Sequence, residues 1–173
     1  MEPVEINAGN HYLRKLRADD RIDDRPALVS AFADVELRHW ITTHRLDDEE
    51  TAGRYVARRA EEWASDQRCS WAIAEPLTGE LVGEIGLARL DLAGGTAEAA
   101  CWVAAGWRGK GIATEALGAA LRFGRGALDL TRIDYRHAPD NLASERVASR
   151  CGLDRIGRIG DVILWRTPAP VPG

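Results

Sequence analysis

Two hydrophobic periods, two residues and about three and a half, alternate along this chain and mark out its elements. His11 to Leu16 alternates apolar and polar and reads as a first strand; Arg17 to Asp24 is a charged connection. Pro26 then opens a short helix with Leu28, Val29 and Phe32 on its apolar side. Val35 to Leu46, anchored by Trp40 and Ile41, has no clear period and stays unassigned. Asp47 and Glu50 match a capping box, and Ala52, Tyr55, Val56, Ala60 and Trp63 recur at helical spacing to about Ser65. The arginines between them, Arg54, Arg58 and Arg59, are expected on a solvated face.

Strand periodicity returns at Ser70–Ala74, Leu81–Leu90 and Glu98–Val103. The connections Pro76–Glu80 and Asp91–Thr96 carry turn residues, so the three strands form an antiparallel meander. A helix follows to about Leu128, with Ala113, Leu117, Ala120, Leu121 and Gly124 on one face. Arg132–Ala138 reads as a strand, and Pro139-Asp140 breaks it. Asn141 starts a helix with Ala143, Val147 and Cys151 inward, and Gly152 closes it. Leu153–Ile159 and Asp161–Thr167 form a last strand pair. Residues 168–173 are a proline-rich tail expected to be disordered. This order argues for a single α/β (α+β) domain over residues 1–173 with a core at about 10–167. Its central sheet is mixed, mostly antiparallel and flanked by helices.

Composition narrows the partners. The formal net charge of −4 gives nucleic-acid binding no global support. No segment has the apolar length of a membrane span and no apolar signal core opens the chain, so cytoplasmic residence is expected. Cys69, Cys101 and Cys151 are widely spaced in apolar contexts, which points to buried thiols rather than a metal site or disulfide framework. Six tryptophans could mark a homodimer face as readily as fill a core.

The chemistry concentrates in Trp107-Arg108-Gly109-Lys110-Gly111-Ile112-Ala113-Thr114-Glu115, between a strand and a helix. Glycines in a basic turn free backbone N–H groups to face a concavity, and the helix aims its positive end at the same point. The stretch fits neither the Walker pattern, because Gly111 follows Lys110, nor the dinucleotide fingerprint. Arg108, Gly111 and Ala113 do supply Arg-x-x-Gly-x-Ala, which resembles the acyl-CoA pyrophosphate loop of GCN5-related N-acetyltransferases. Thr78–Leu87, Ala97-Glu98, Trp102-Val103, Asn141–Ser144 and Arg150–Leu153 extend the resemblance to the RimJ/RimL branch, over about Asn10 to Thr167.

That resemblance implies an acetyl-CoA-dependent N-acetyltransferase acting on a primary amine, a protein N-terminus or a small molecule. The alternative is a silent acyl-CoA-binding module. Val103, Ala104, Arg108, Gly109, Lys110, Gly111, Ile112, Ala113 and Thr114 would bind the cofactor, with backbone N–H groups at Val103 and Ala104 polarising the thioester if the strand bulges. Asn141 would meet the pantetheine arm, and Ser144, three residues on, would protonate the departing sulfur. Glu98 first and Glu84 second are candidate bases, on strands expected to line the acceptor groove and to attract a cationic amine. His137 is also near, with a natural pKa suited to proton transfer.

Overall fold

The computed structural model describes residues 1–169. Its strands are β1 (Ile6–Ala8), β2 (His11–Arg14), β3 (Cys69–Ala74), β4 (Leu81–Asp91), β5 (Thr96–Val103), β6 (Arg132–His137), β7 (Asp154–Ile159) and β8 (Val162–Arg166). The helices are α1 (Arg25–Phe32), α2 (Val35–Trp40), α3 (Glu49–Ala64), α4 (Ile112–Ala127) and α5 (Leu142–Arg150). All eight strands join one sheet in the order β1-β2-β3-β4-β5-β6-β8-β7. Every pairing is antiparallel except β5 with β6, which is parallel. The expected mixed, mostly antiparallel sheet flanked by helices is what forms.

Strand alternation sends side chains to two cores. On one face Trp71, Ile73, Ile85, Leu87, Ala99 and Ile133 meet Leu117, Ala120 and Leu121 of α4. Its small residues let that helix lie close, and a Cβ added at Gly124 would sit 2.7 Å from Ile133. On the other face Ala72, Leu81 and Trp102 pack against Leu28, Phe32, Leu37, Tyr55 and Val56 of the first three helices. The tryptophans fill cores or line cavities: Trp63, Trp71, Trp102 and Trp165 are buried, and Trp40 and Trp107 are half-buried. None supplies an exposed dimer face. No helix among the described residues is long and apolar enough to cross a membrane.

Several local expectations shift. β1 is an unforeseen short edge strand, and the unassigned stretch contains α2, capped by Asp34 accepting from the Leu37 N–H. The α3 capping box is Asp48 with Thr51, one residue later than expected, while Asp47 instead pairs with Arg38. Arg59 is buried rather than solvated. In α5 the buried residue is Ala148, and Ala143 is exposed. Residues 170–173 of the tail lie outside the described residues, and the Pro168 carbonyl accepts a hydrogen bond from Arg125.

β2 ends at Arg14 because that side chain turns inward to a buried carboxylate. Its two terminal nitrogens donate to Asp24 at 2.8 and 2.7 Å, and Nη2 also donates to the Gly79 carbonyl. Asp24 accepts in addition from the Arg17 N–H. The pair fastens the loop before α1 and the β3–β4 turn to the sheet. Removing one member strands a buried charge, which costs about 3–5 kcal/mol. Arg14→Met should therefore lose that much in urea denaturation, seen as a lower midpoint at unchanged slope; a loss under about 1 kcal/mol would show that the pair fastens nothing.

Candidate active site

β5 and β6 pair over only four rungs, from Thr96↔Arg132 to Ala99↔Tyr135. Beyond them β6 stays with β8 and β5 stays with β4, so the sheet opens into a cleft. No bulge occurs at Val103; its register with Gly83 is regular. The Ala104 N–H donates to the Val82 carbonyl, so it is not available to a thioester, contrary to the expectation for that residue. Ladder alternation turns the N–H of Cys101 and Val103 the other way, into the cleft where β6 has diverged.

One cavity, about 280 Å³, occupies the α4–α5 side of the cleft. Val103, Arg108, Gly109, Gly111, Ile112, Ala113, Thr114, Asn141 and Ser144, nine of the residues expected around a cofactor, line it. Gly109 and Gly111 have φ of +76° and +79°, and a Cβ added at either would meet nothing within 4 Å. The loop thus faces open space with backbone alone. Gly111 is the N-cap of α4 and contributes no side chain, leaving the first N–H groups of that helix to the cavity. These features fit a polyphosphate such as that of CoA. Arg146 and Arg150, one turn apart on α5, face the same cavity and make no ion pair among the described residues. Sequence reasoning missed both, although their i,i+4 spacing after Asn141 was the available sign.

Arg108 and Lys110 differ from expectation. Arg108 donates to Asp34 at 2.7 Å, to Glu36 at 2.9 Å and to the Val103 carbonyl at 3.0 Å, so α2 carboxylates already balance its charge. The guanidinium holds the Asp34 carboxyl below its usual pKa. Lys110 is exposed, stacks over the Trp107 ring and does not line the cavity.

A second cavity, about 300 Å³, lies on the α1–α3 side. Trp40, Ile41, Cys101, Trp102, Tyr135, Asn141 and Ser144 line both cavities, so the two meet there. Ser144 is half-buried at the meeting point, where buried Tyr135 lines both cavities with it. Asn141 caps α5 by accepting from the Ser144 N–H at 3.1 Å. Cys101 sits beside them, and desolvation pushes its thiol well above the usual range.

Glu84 lines the second cavity, buried and held by three donors: Tyr55 Oη at 2.6 Å, Arg59 Nε at 3.2 Å and Trp102 Nε1 at 3.3 Å. Burial and the neighbouring carboxylate keep the Tyr55 phenol protonated. His44 presents its ring nitrogens to Arg58 at 3.1 Å and Arg59 at 3.3 Å, and burial with those two cations lowers its pKa to about 4. Glu98 lies outside both cavities, at the paired end of β5, and meets Arg89 at 3.1 Å and Arg136 at 3.7 Å. His137 is locked: Trp165 Nε1 donates to its Nε2 at 2.9 Å, so Nδ1 carries the proton and donates to the Ala138 carbonyl at 2.7 Å. Sequence reasoning did not place Tyr135 and Arg68 in this groove, whereas His44, Tyr55 and Arg59 fall in the Val35–Leu46 stretch and the helix after it, which it set beside the acceptor.

The family described as Acetyltransferase (GNAT) domain matches residues 12–154. No curated protein matches the chain. Among solved structures, RimJ from Mycobacterium smegmatis in complex with CoA-disulfide has a TM-score of 0.78 at 23% identity, over 95% of this chain and 85% of that one. Ribosomal-protein-S5-alanine acetyltransferase from Vibrio fischeri has a TM-score of 0.80 at 16% identity, covering 94% and 95%. RimL, a ribosomal L7/L12 α-N-protein acetyltransferase bound to coenzyme A, has 0.78 at 18%, covering 94% and 97%. These likenesses concern the fold; the family match runs from β2 through α5, taking in the glycine loop and both helices of the cleft, and the chain belongs to the GNAT acetyltransferase family.

Proposed function

We propose that the protein transfers an acetyl group from acetyl-CoA to a primary amine by direct attack. The observation that carries this reading is the meeting of two cavities at Ser144, one edged by an open glycine loop and the other by a fixed carboxylate. Acetyl-CoA, when bound, supplies an activated thioester. The backbone of Gly109 to Thr114 and the guanidinium groups of Arg146 and Arg150 hold phosphate oxygens, and the Val103 N–H faces the reacting carbonyl as a fixed dipole.

Ser144 donates a proton to the sulfur as the C–S bond breaks, and the proton the nitrogen loses on forming the amide restores the serine hydroxyl. A carboxylate offers about four acceptor positions. Glu84 has three filled, and the fourth aligns the acceptor amine. Held by Tyr55, Arg59 and Trp102, Glu84 serves as a fixed orienting charge. The cations around the groove disfavour an ammonium, so a bound amine sheds its proton more readily than in water. Release of CoA from acetyl-CoA across a panel of N-terminal peptides and small amines tests the reading directly; acetyl-CoA binding with no amine-dependent release would overturn it.

Gly111→Ala tests the cradle. The space its Cβ would enter holds no protein atom within 4 Å. A left-handed alanine costs about 1–2 kcal/mol of stability, so the fold should survive. CoA affinity by calorimetry should drop at least about tenfold, as a phosphate loses its backbone approach. Wild-type affinity would place the phosphates elsewhere.

Ser144→Ala should lower kcat by about a hundredfold, the lower end for positioned proton transfer, with acetyl-CoA affinity little changed. An unchanged kcat with chemistry rate-limiting would return Ser144 to packing.

His44 yields a pH signature. Its pKa falls from 6.5 in the unfolded chain to about 4 in the folded one. Between these values the unfolded state binds more protons, so this contribution is complete above pH 6.5 and is lost as pH falls toward 4. Unfolding free energy should decline through that window, and His44→Gln should flatten the decline. An imidazole titrating near 6.5 by NMR would refute the assignment.

A further inference from the structure

Glu84 and Glu98 suggest an acceptor groove that draws in a cationic amine, but the placement of charge is the reverse. Glu84 is the one carboxylate lining the second cavity among the described residues, and it shares buried Arg59 with Glu62, which lies outside the cavity lining. Two further arginines line the cavity. Arg68 is half-buried, lies across Gly86 and donates through Nε to Ser70 Oγ at 2.7 Å, with no ion pair among the described residues. Arg136 projects from β6 with only a loose 3.7 Å approach to Glu98, whose nearer partner is Arg89. Asp134, two residues earlier on the same face, is bound by Arg166 at 2.7 Å and is spent. The groove therefore holds more positive charge than its own carboxylates neutralise.

The floor between these arginines is bare. Gly86 pairs with Ala100, and Ala100 is exposed in the middle of the sheet. One step past the last β5–β6 rung, Arg136 reaches the level of Ala100. Arg68 and Arg136 thus flank a shallow seat floored by a glycine and an alanine. Trp102, where the cavities meet, and its strand partner Glu84 lie two residues further along their strands, which is roughly 7 Å.

We propose that the acceptor carries an anionic group, a carboxylate or phosphate, roughly 7 Å from the amine that is acetylated, and that Arg68 and Arg136 hold it. This rests on the acetyl-transfer reading above and specifies its substrate. A planar guanidinium suits both anions, and the spacing excludes an α-amine paired with its own α-carboxylate. It fits a peptide with an acidic or phosphorylated second residue, or a linear ω-amino carboxylate.

The test uses matched acceptors with the full-length protein. One arm compares tripeptides bearing glutamate, phosphoserine or glutamine in second position; the other compares an ω-amino carboxylate with its carboxamide. In the arm containing the true class, the anionic member should exceed its neutral match in kcat/KM by about tenfold or more, the scale of one charge-assisted hydrogen bond. Arg68→Gln and Arg136→Gln should each remove most of that preference while leaving acetyl-CoA affinity unchanged. Arg136 is exposed, so its variant remains informative if Arg68→Gln folds poorly by thermal denaturation. Equal or better turnover of neutral members, or a preference that survives both substitutions, overturns the proposal. If no acceptor turns over, calorimetry on the CoA-loaded protein decides separately: an anion preference lost in the variants supports the seat and overturns acetyl transfer, and no preference overturns the seat.

Discussion

Everything functional in this protein depends on one interrupted pairing. The parallel ladder of β5 and β6 stops at Ala99↔Tyr135 although both strands continue. Each is held by its other neighbour, β5 by β4 and β6 by β8. Further along, β6 is fixed by the hydrogen bonds of His137 to Trp165 and Ala138. Backbone N–H groups in the cleft have lost strand partners, and an unpaired polar group is costly where water is excluded. The cleft is therefore a place where a ligand satisfies bonds that the fold leaves open.

Charge placement divides the cleft into two environments. On the α4–α5 side, helix-end N–H groups and α5 arginines face the cavity. On the α1–α3 side, a buried network of Tyr55, Arg59, Glu84 and Trp102 stiffens the wall. Arg108 links the two by bridging from the glycine loop to Asp34 and Glu36 at the start of α2. The glycine loop and the helices beside the second cavity are therefore mechanically one piece.

The sheet, the glycine loop and α4 were legible because each rests on local pattern: alternation, two positive-φ glycines, a stripe of small residues. β1 was not, since Ile6–Ala8 is too short to show a period. Four consecutive acids from Asp47 offered several capping registers, and only the reciprocal bonds of Asp48 and Thr51 select one. Arg59 was the instructive miss. It falls on the apolar stripe of α3 beside Tyr55, Val56 and Trp63, and its charge outweighed its position in the reading. An arginine on an apolar stripe signals a buried partner, here Glu84. Glu98 failed for another reason: sequence identifies β5 but not the end at which it parts from β6.

Cys101 carries a last consequence. It stands where a thioester would be presented, and a thiolate there would take the acyl group itself. Desolvation instead keeps it protonated, far from nucleophilic at neutral pH. Under the proposed direct transfer, this position therefore offers no thiolate to intercept the acyl group.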